Sequence, residues 1–104
     1  MMIYDCLFKM GKILLIDTTS NKEIKIGIKK EDKTYFLKQK INYQKAQAAL
    51  PMIDKLLKRH RLSLKDLTLI RVNTRPGSFT GVRVGIAIAN ALSFVLKIPV
   101  KVIK

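Results

Sequence analysis

Apolar residues alternate with polar ones in the first third of the chain and then change to a helical spacing. Residues 12–17, KILLID, form a short apolar run that ends in an acid, as buried strands often do. Residues 22–29 alternate isoleucine with lysine or glycine, and TYFLKQK at 34–40 follows a polar turn at 30–33. The pattern predicts three consecutive antiparallel strands.

Two later segments have the spacing of helices. Asn42 is a good N-cap residue, and apolar positions follow it at intervals of three and four, which predicts a helix over 42–60. Pro51 lies inside that segment, so we expect a bend there or a later helix start. An almost wholly apolar second helix is predicted over 79–96.

Two further apolar runs, at 67–72 and 98–103, predict strands on either side of the second helix. Pro99 favours an edge position or a bulge at the start of the last strand, because proline cannot donate to a neighbouring strand. The predicted order is βββαβαβ, an α/β fold with a mixed sheet and helices packed on it. This is the arrangement of a single lobe of the actin-like ATPase, or ribonuclease-H-like, superfamily.

Composition supports one small basic domain. The 104 residues are 48% hydrophobic, which is enough for a core, and they carry 21 Lys and Arg against seven Asp and Glu, a net charge of +14. Such a charge attracts a nucleic acid or an acidic protein. Lysines spread over solvated faces would give the same number, so charge alone leaves both interpretations open.

Membrane insertion and export are not indicated. The most apolar stretch, 84–96, is shorter than the roughly 20 residues a membrane helix needs. Asp5 and Lys9 interrupt the region where a signal peptide requires an apolar run. The single cysteine, Cys6, cannot form an internal disulfide, which suits a reducing compartment. A cytoplasmic protein is predicted.

Glycines at 77, 81 and 85 recur every four residues in RPGSFTGVRVG, and they raise the question of a phosphate loop. The spacing and the missing Lys-Ser/Thr pair exclude a P-loop, and no G-x-G-x-x-G is present. Within a helix, Gly81, Gly85 and Ala89 fall on one face and allow another backbone to approach closely. That neighbour is either the domain's own sheet or helix, or a helix of a partner.

Catalytic residues are not indicated. Asp17, Thr18 and Thr19 follow the first strand, where they either form a simple turn or face nucleotide phosphates as in actin-like ATPases. The other acids are scattered over turns, exposed strand faces and helix ends, so they do not predict the converging carboxylates of a two-metal nuclease. No metal site is predicted.

The run KILLIDTTSNKEIKIGI and above all PGSFTGVRVG resemble the N-terminal lobe of the TsaB (YeaZ) family, over about residues 11–103. The family motif is carried by the residues Asp17, Thr18, Thr19, Pro76, Gly77, Ser78, Phe79, Thr80, Gly81 and Arg83.

The resemblance implies a non-catalytic scaffold subunit that supports a TsaD-like transferase in the threonylcarbamoylation of adenosine 37 of tRNA. Docking would use a bundle of the two helices, with a TsaE-like ATPase and tRNA joining through the complex. No cofactor is expected for this chain alone; ATP or ADP would bind only at the complex interface. The implied partner-interface residues are Leu50, Ile53, Leu57, Phe79, Gly81, Val82, Gly85 and Ala89.

The resemblance also divides the chain. It implies that residues 1–10 are an N-terminal extension and that residues 11–104 are a TsaB-like N-terminal lobe, with the second lobe of the family absent from this sequence. Two alternatives remain at this stage: a small basic RNA-binding module, and a homodimer formed through the same helices.

Overall fold

A computed structural model describes residues 11–20, 22–31, 33–40, 45–74 and 79–103. The elements are β1 (Lys12–Asp17), β2 (Glu23–Lys30), β3 (Lys33–Lys40), α1 (Lys45–Arg59), a short 3-10 turn (Leu64–Asp66), β4 (Leu69–Asn73), α2 (Phe79–Leu96) and β5 (Val100–Ile103). The predicted order βββαβαβ is confirmed. The predicted extension at 1–10 lies outside the described residues.

The strands form one five-stranded sheet in the order β3-β2-β1-β4-β5. The first three strands are antiparallel to each other, whereas β4 runs parallel to β1 and β5 runs parallel to β4. This confirms the predicted mixed sheet and the α/β fold class. The last strand lies at an edge, as Pro99 indicated, and the carbonyl of Pro99 accepts a hydrogen bond from Ile70 N at 3.0 Å.

Both helices pack on one side of the sheet, here called the helix side. Helix α1 lies against β2, and α2 lies against β4 and β1. The strands point alternate residues at the helices, and those residues are fully buried; they include Leu14, Ile26 and Ile70. The residues between them point to the opposite side, here called the open side, where neither described helix lies.

Some predicted boundaries differ from the structure. Pro51 lies in the middle of α1, which begins at Lys45, so the later helix start is wrong; Asn42 lies outside the described residues. Strand β4 begins two residues later than predicted because the preceding segment forms the 3-10 turn. The carboxylate of Asp66 accepts hydrogen bonds from Ser63 N at 2.8 Å and from Ser63 Oγ at 3.3 Å, which closes that turn.

Neither of the two described helices, α1 and α2, is long and apolar enough to cross a bilayer.

Candidate partner-docking surface

The side of α2 that faces the sheet is formed by small residues. A Cβ atom added to Gly85 would lie 2.6 Å from Thr18 Oγ1 and 3.2 Å from Val72 Cγ2. No side chain fits in that space, so glycine is required for the helix to lie this close to β1 and β4. Ala89, one turn further along, is also fully buried.

The predicted contact surface is therefore corrected. Of the two alternatives left open for the small-residue positions, the structure supports the chain's own core: Gly85 packs against the sheet, and Ala89 is buried in the core. Ile53 and Leu57 of α1 are each 3% exposed and belong to the same core. Because a partner cannot reach buried atoms, the interpretation of these four residues as a contact surface is wrong.

The other predicted interface positions have different outcomes. Leu50 is 53% exposed, and Val82 is partly buried. The backbone of Phe79 and Gly81 is helical, but their side-chain surroundings, and the motif residues 76–78, lie outside what the structure describes. Leu50 and Val82 remain candidates for contact with a partner.

The opposite side of α2 carries a second set of small and apolar residues together with one arginine and one asparagine. Arg83, Ala87, Asn90, Ala91 and Phe94 lie on one face of the helix at i, i+4, i+7, i+8 and i+11, and all are exposed. We call these five residues the outer stripe. Phe94 is 85% exposed, and its neighbour Val95 is 72% exposed. Sequence reasoning missed this stripe, although its alanines have the same four-residue spacing as the glycines.

Helix α1 has a different solvent side. Its exposed residues include Asp54, Lys55, Lys58 and Arg59, the usual composition of a solvated helix face. Lys58 Nζ lies 3.0 Å from Asp54 Oδ2, one turn away, and both side chains are well exposed. Pairs of this kind contribute little to stability. Of the two helices, α2 therefore exposes more large apolar side chains, Phe94 and Val95, whereas α1 exposes Leu50.

The turn after β1 is held by hydrogen bonds to Asp17. Its Oδ1 accepts from Thr19 N at 3.0 Å and from Thr19 Oγ1 at 2.6 Å, and its Oδ2 accepts from Asn73 Nδ2 at 3.1 Å. Burial alone would raise the pKa of Asp17, but the hydrogen bonds from Thr19 and Asn73 and the charge of Lys25 outweigh it and lower the pKa below its ordinary value.

Both carboxylate oxygens of Asp17 thus already have donors from the chain itself. This arrangement favours the turn interpretation of the Asp17-Thr18-Thr19 run over a site for phosphates. Asn73 was missed from the sequence, because it reaches Asp17 only through the parallel pairing of β1 and β4. Among the described residues, no three His, Cys, Asp or Glu side chains gather where they could hold a metal ion.

These features define a class: one α/β lobe of the ribonuclease-H-like and actin-like type, with an apolar helix face turned to solvent. The family model described as TsaD: tRNA N6-adenosine threonylcarbamoyltransferase matches residues 37–104. The chain belongs to this family, and its curated relatives confirm the resemblance to the TsaB (YeaZ) proteins.

Two relatives are named tRNA threonylcarbamoyladenosine biosynthesis protein TsaB. The one from Buchnera aphidicola subsp. Schizaphis graminum (strain Sg) is 36% identical over 91 residues, covering 88% of this chain and 43% of the relative. The one from Bacillus subtilis (strain 168) is 36% identical over 94 residues, covering 88% of this chain and 40% of the relative. The chain thus spans less than half the length of these relatives.

A solved structure gives the same result for the fold. The structure titled YeaZ from Pseudomonas aeruginosa superposes with a TM-score of 0.84 at 29% sequence identity. The match covers 91% of this chain and 44% of that one.

Proposed function

We propose that this chain acts in the biosynthesis of threonylcarbamoyladenosine on tRNA, as a non-catalytic subunit that docks onto a TsaD-like transferase. In this proposal the transferase modifies adenosine 37, and a TsaE-like ATPase and the tRNA join through the complex. Support comes from the family and from relatives whose names state this biosynthesis.

The observation that carries the docking proposal is the apolar solvent side of α2. A helix at the surface of a monomer normally turns charged residues to water, as α1 does. Helix α2 instead exposes Ala87, Ala91, Phe94 and Val95. An aromatic ring that is 85% exposed, beside alanines that let a second backbone approach, is suited to packing against a helix of another protein.

The docking surface proposed here differs from the one inferred from the sequence. It consists of the outer stripe with Val95 and Leu50. Gly85 acts indirectly, because it allows α2 to lie close to the sheet and so sets the position of the outer stripe. In this proposal the two helices still form the contact, but they do so through their solvent-exposed sides.

Calorimetric titration of the chain with the TsaD-like protein of the same organism tests the docking. Phe94→Glu places a charge within the proposed contact, at its most exposed apolar side chain, and we expect at least tenfold weaker association. The matched control is Phe36→Ser, which removes another exposed aromatic ring, on the open side of the sheet, and should leave the association unchanged. Absence of association, or equal loss in the two variants, would contradict the proposal.

Two further outcomes would favour the alternatives. Binding of unmodified tRNA by the chain alone, steeply weakened by salt and indifferent to Phe94→Glu, would indicate an RNA-binding module. A dimer of the chain alone in sedimentation, dissociated by Phe94→Glu, would indicate that the outer stripe serves self-association. If the proposal holds, a mixture of the chain, the TsaD-like and TsaE-like proteins and tRNA should modify adenosine 37 more slowly with Phe94→Glu.

A further inference from the structure

The amino ends of the three parallel strands, β1, β4 and β5, lie at one end of the sheet, together with the carboxyl ends of both helices. Helix α1 leads into β4 there, where Thr68 N donates to Lys12 O at 2.8 Å, and α2 leads into β5. The hairpin between β2 and β3 belongs to the same end, because Lys30 pairs with Lys12 and with Lys33. We call this part of the molecule the basal end; Asp17 lies at the other end.

Cations outnumber carboxylates at the basal end. Two described carboxylates, Glu31 and Asp66, lie here, and Asp66 already accepts two hydrogen bonds from Ser63. Asp32, which follows Glu31, lies outside the described residues. The described cations at this end include Lys12, Lys30, Lys33, Arg59, Arg61, Lys65 and Lys97. The charge that complements the basal end is therefore negative.

Both helices are followed by a cation with left-handed backbone. Arg61 follows α1 and Lys97 follows α2, each with a φ of 58°. Arg61 occupies the position that glycine usually fills after a helix, since Leu62 N donates to Leu57 O at 2.8 Å. Glycine adopts this conformation without steric conflict, whereas a side chain there lowers stability. Both cations are exposed, which favours a role outside the chain's own packing.

Two aromatic rings lie among these cations. The ring centroids of Tyr35 and His60 are 4.3 Å apart with 42° between the ring planes, and both residues are partly buried. Lys30 Nζ lies 5.8 Å from the Tyr35 centroid. Partial burial first, and then the charges of Lys30 and Arg59, lower the pKa of His60 and favour the uncharged imidazole. The basal end thus places a partly exposed aromatic surface beside positive charges.

We propose that the basal end holds a segment of the tRNA, with phosphates on Arg59 and Arg61 and a base against the His60 ring. This inference rests on the proposed function, which supplies the tRNA. Charge alone would suit an acidic protein equally, but aromatic rings among cations are the combination on which unpaired nucleotides stack. Lys97 lies three residues beyond Phe94, so RNA at the basal end would lie beside a transferase docked on the outer stripe.

The basal end offers only a few phosphate contacts, so the chain alone should not hold tRNA at physiological salt. Its contribution should appear in the complex, where it adds to the contacts of the transferase. The test is the anisotropy of labelled, unmodified tRNA with the TsaD-like protein, alone and together with the chain. We expect the complex to bind about tenfold more tightly than the transferase alone. No gain, when calorimetry shows that the two proteins are docked, would overturn the proposal.

A pair of double variants locates the gain. Lys33→Glu with Arg61→Glu should remove most of it and leave the docking unchanged in calorimetry. Lys22→Glu with Lys40→Glu is the matched control, because it makes the same change in net charge with exposed residues at the other end of the sheet. The control should keep the gain. Equal losses in the two double variants would mean that net charge, and not the basal end, binds the RNA.

An NMR titration of the chain alone makes failure here distinct from failure of the docking, and it decides alone if no docking occurs. A short oligouridylate at low salt should shift amide signals in the hairpin between β2 and β3 and at the end of α1. Added salt should abolish the shifts, because phosphate contacts release counterions. Shifts concentrated on α2, or spread evenly over the chain, would contradict the proposed site.

An acidic protein is the competing occupant, and polyglutamate of equal charge represents it. Carboxylates do not stack on a ring, so polyglutamate should bind more weakly than the oligouridylate. His60→Ala should weaken the oligouridylate about threefold and leave polyglutamate unchanged. If both probes bind equally and neither responds to His60→Ala, the basal end suits an acidic protein and the RNA proposal is wrong.

Arg61→Gly separates binding from folding, because the two effects have opposite signs. It relieves the left-handed conformation and should raise the urea midpoint of unfolding, while loss of the cation should weaken the oligouridylate about threefold. Glu31→Gly is the matched control: it relieves a φ of 57° at the same end but removes a negative charge. It should also raise the midpoint and should not weaken the RNA. Weaker binding in both variants, or in neither, would count against the basal end as an RNA surface.

Discussion

The two sides of the sheet are made from the same short strands but meet different surroundings. In β1, Leu14 and Ile16 point to the helix side and are at most 1% exposed, whereas Ile13 and Leu15 point to the open side and are half-buried. Every residue of this run before Asp17, apart from the initial lysine, is apolar. A strand that is apolar in both directions is built for two covers, and α1 and α2 supply one.

Helix α2 also has one buried side and one exposed side. Its inner side is buried at Gly85 and Ala89, and its outer side presents Ala87, Ala91 and Phe94 to solvent. The inner side is packed so closely that Gly85 has no room for a Cβ, whereas the outer side is not covered by any other described residue and is the surface proposed for docking. In the sheet and in α2 alike, the buried side holds the fold together, and the exposed side is the one open to contact with other molecules.

The largest expected effect is a difference between core and open-side truncations. Ile26→Ala removes a fully buried side chain on the helix side and should lower the free energy of unfolding by about 3 kcal/mol. Leu15→Ala removes a half-buried side chain on the open side and should cost about 1 kcal/mol, since less apolar area is lost. Urea unfolding measures both. Equal costs would mean that the open side is already packed in the isolated chain.

A comparable test applies to the two sides of α2. Gly85→Leu should destabilise the chain by about 2 kcal/mol or more, because the new side chain must displace Thr18 and Val72. Ala87→Leu, two residues further on the outer stripe, is the matched control, and we expect a change within about 0.5 kcal/mol. If the Gly85→Leu chain kept its stability and lost only partner binding, the result would support the sequence-based interpretation, in which Gly85 and Ala89 contact the partner.

The outcome for α2 shows where sequence patterns reach their limit. The strands and their order follow from the sequence because alternation assigns each isoleucine of β2 to one side. In α2 nearly every position is small or apolar, so periodicity cannot tell which side faces the sheet. Gly85 with Ala89 and Ala87 with Ala91 have the same spacing. Only the packing of the helix on β1 and β4 distinguishes the inner pair from the outer pair.

Contacts between residues far apart in the chain could not be predicted from the sequence either. The bond from Asn73 to Asp17 joins residues 56 positions apart, and it depends on the register of two parallel strands. Arg71 lies within an apolar run that reads as a fully buried strand, yet its side chain belongs to the open side. The sequence gives the type of each residue and of its neighbours along the chain. The contacts of Asn73 and Arg71 depend instead on which strands pair with each other.

The hydrogen bonds at Asp17 predict a smaller, pH-dependent effect. Because the folded-state pKa of Asp17 is lowered, its ionised form contributes stability above the unfolded pKa, near 3.8, and this contribution is lost as pH falls through the folded pKa. Thermal unfolding should therefore show a steeper acid loss in the wild-type chain than in Asp17→Asn. Parallel curves for the two proteins would mean that Thr19 and Asn73 do not hold the carboxylate in solution.

The smallest expected effect belongs to the most exposed ring in the described structure. Phe94→Ser should change the free energy of unfolding by less than about 0.5 kcal/mol, because the ring makes little contact with the rest of the chain. Leu92→Ser, two residues earlier, is the matched control, since Leu92 packs against the core and its loss should cost about 2 kcal/mol. Urea unfolding at equal protein concentration compares them. If Phe94→Ser lowered the free energy of unfolding as much as Leu92→Ser, the Phe94 ring would belong to the chain's own core. If it left the free energy of unfolding unchanged and weakened transferase binding, the ring would serve recognition alone.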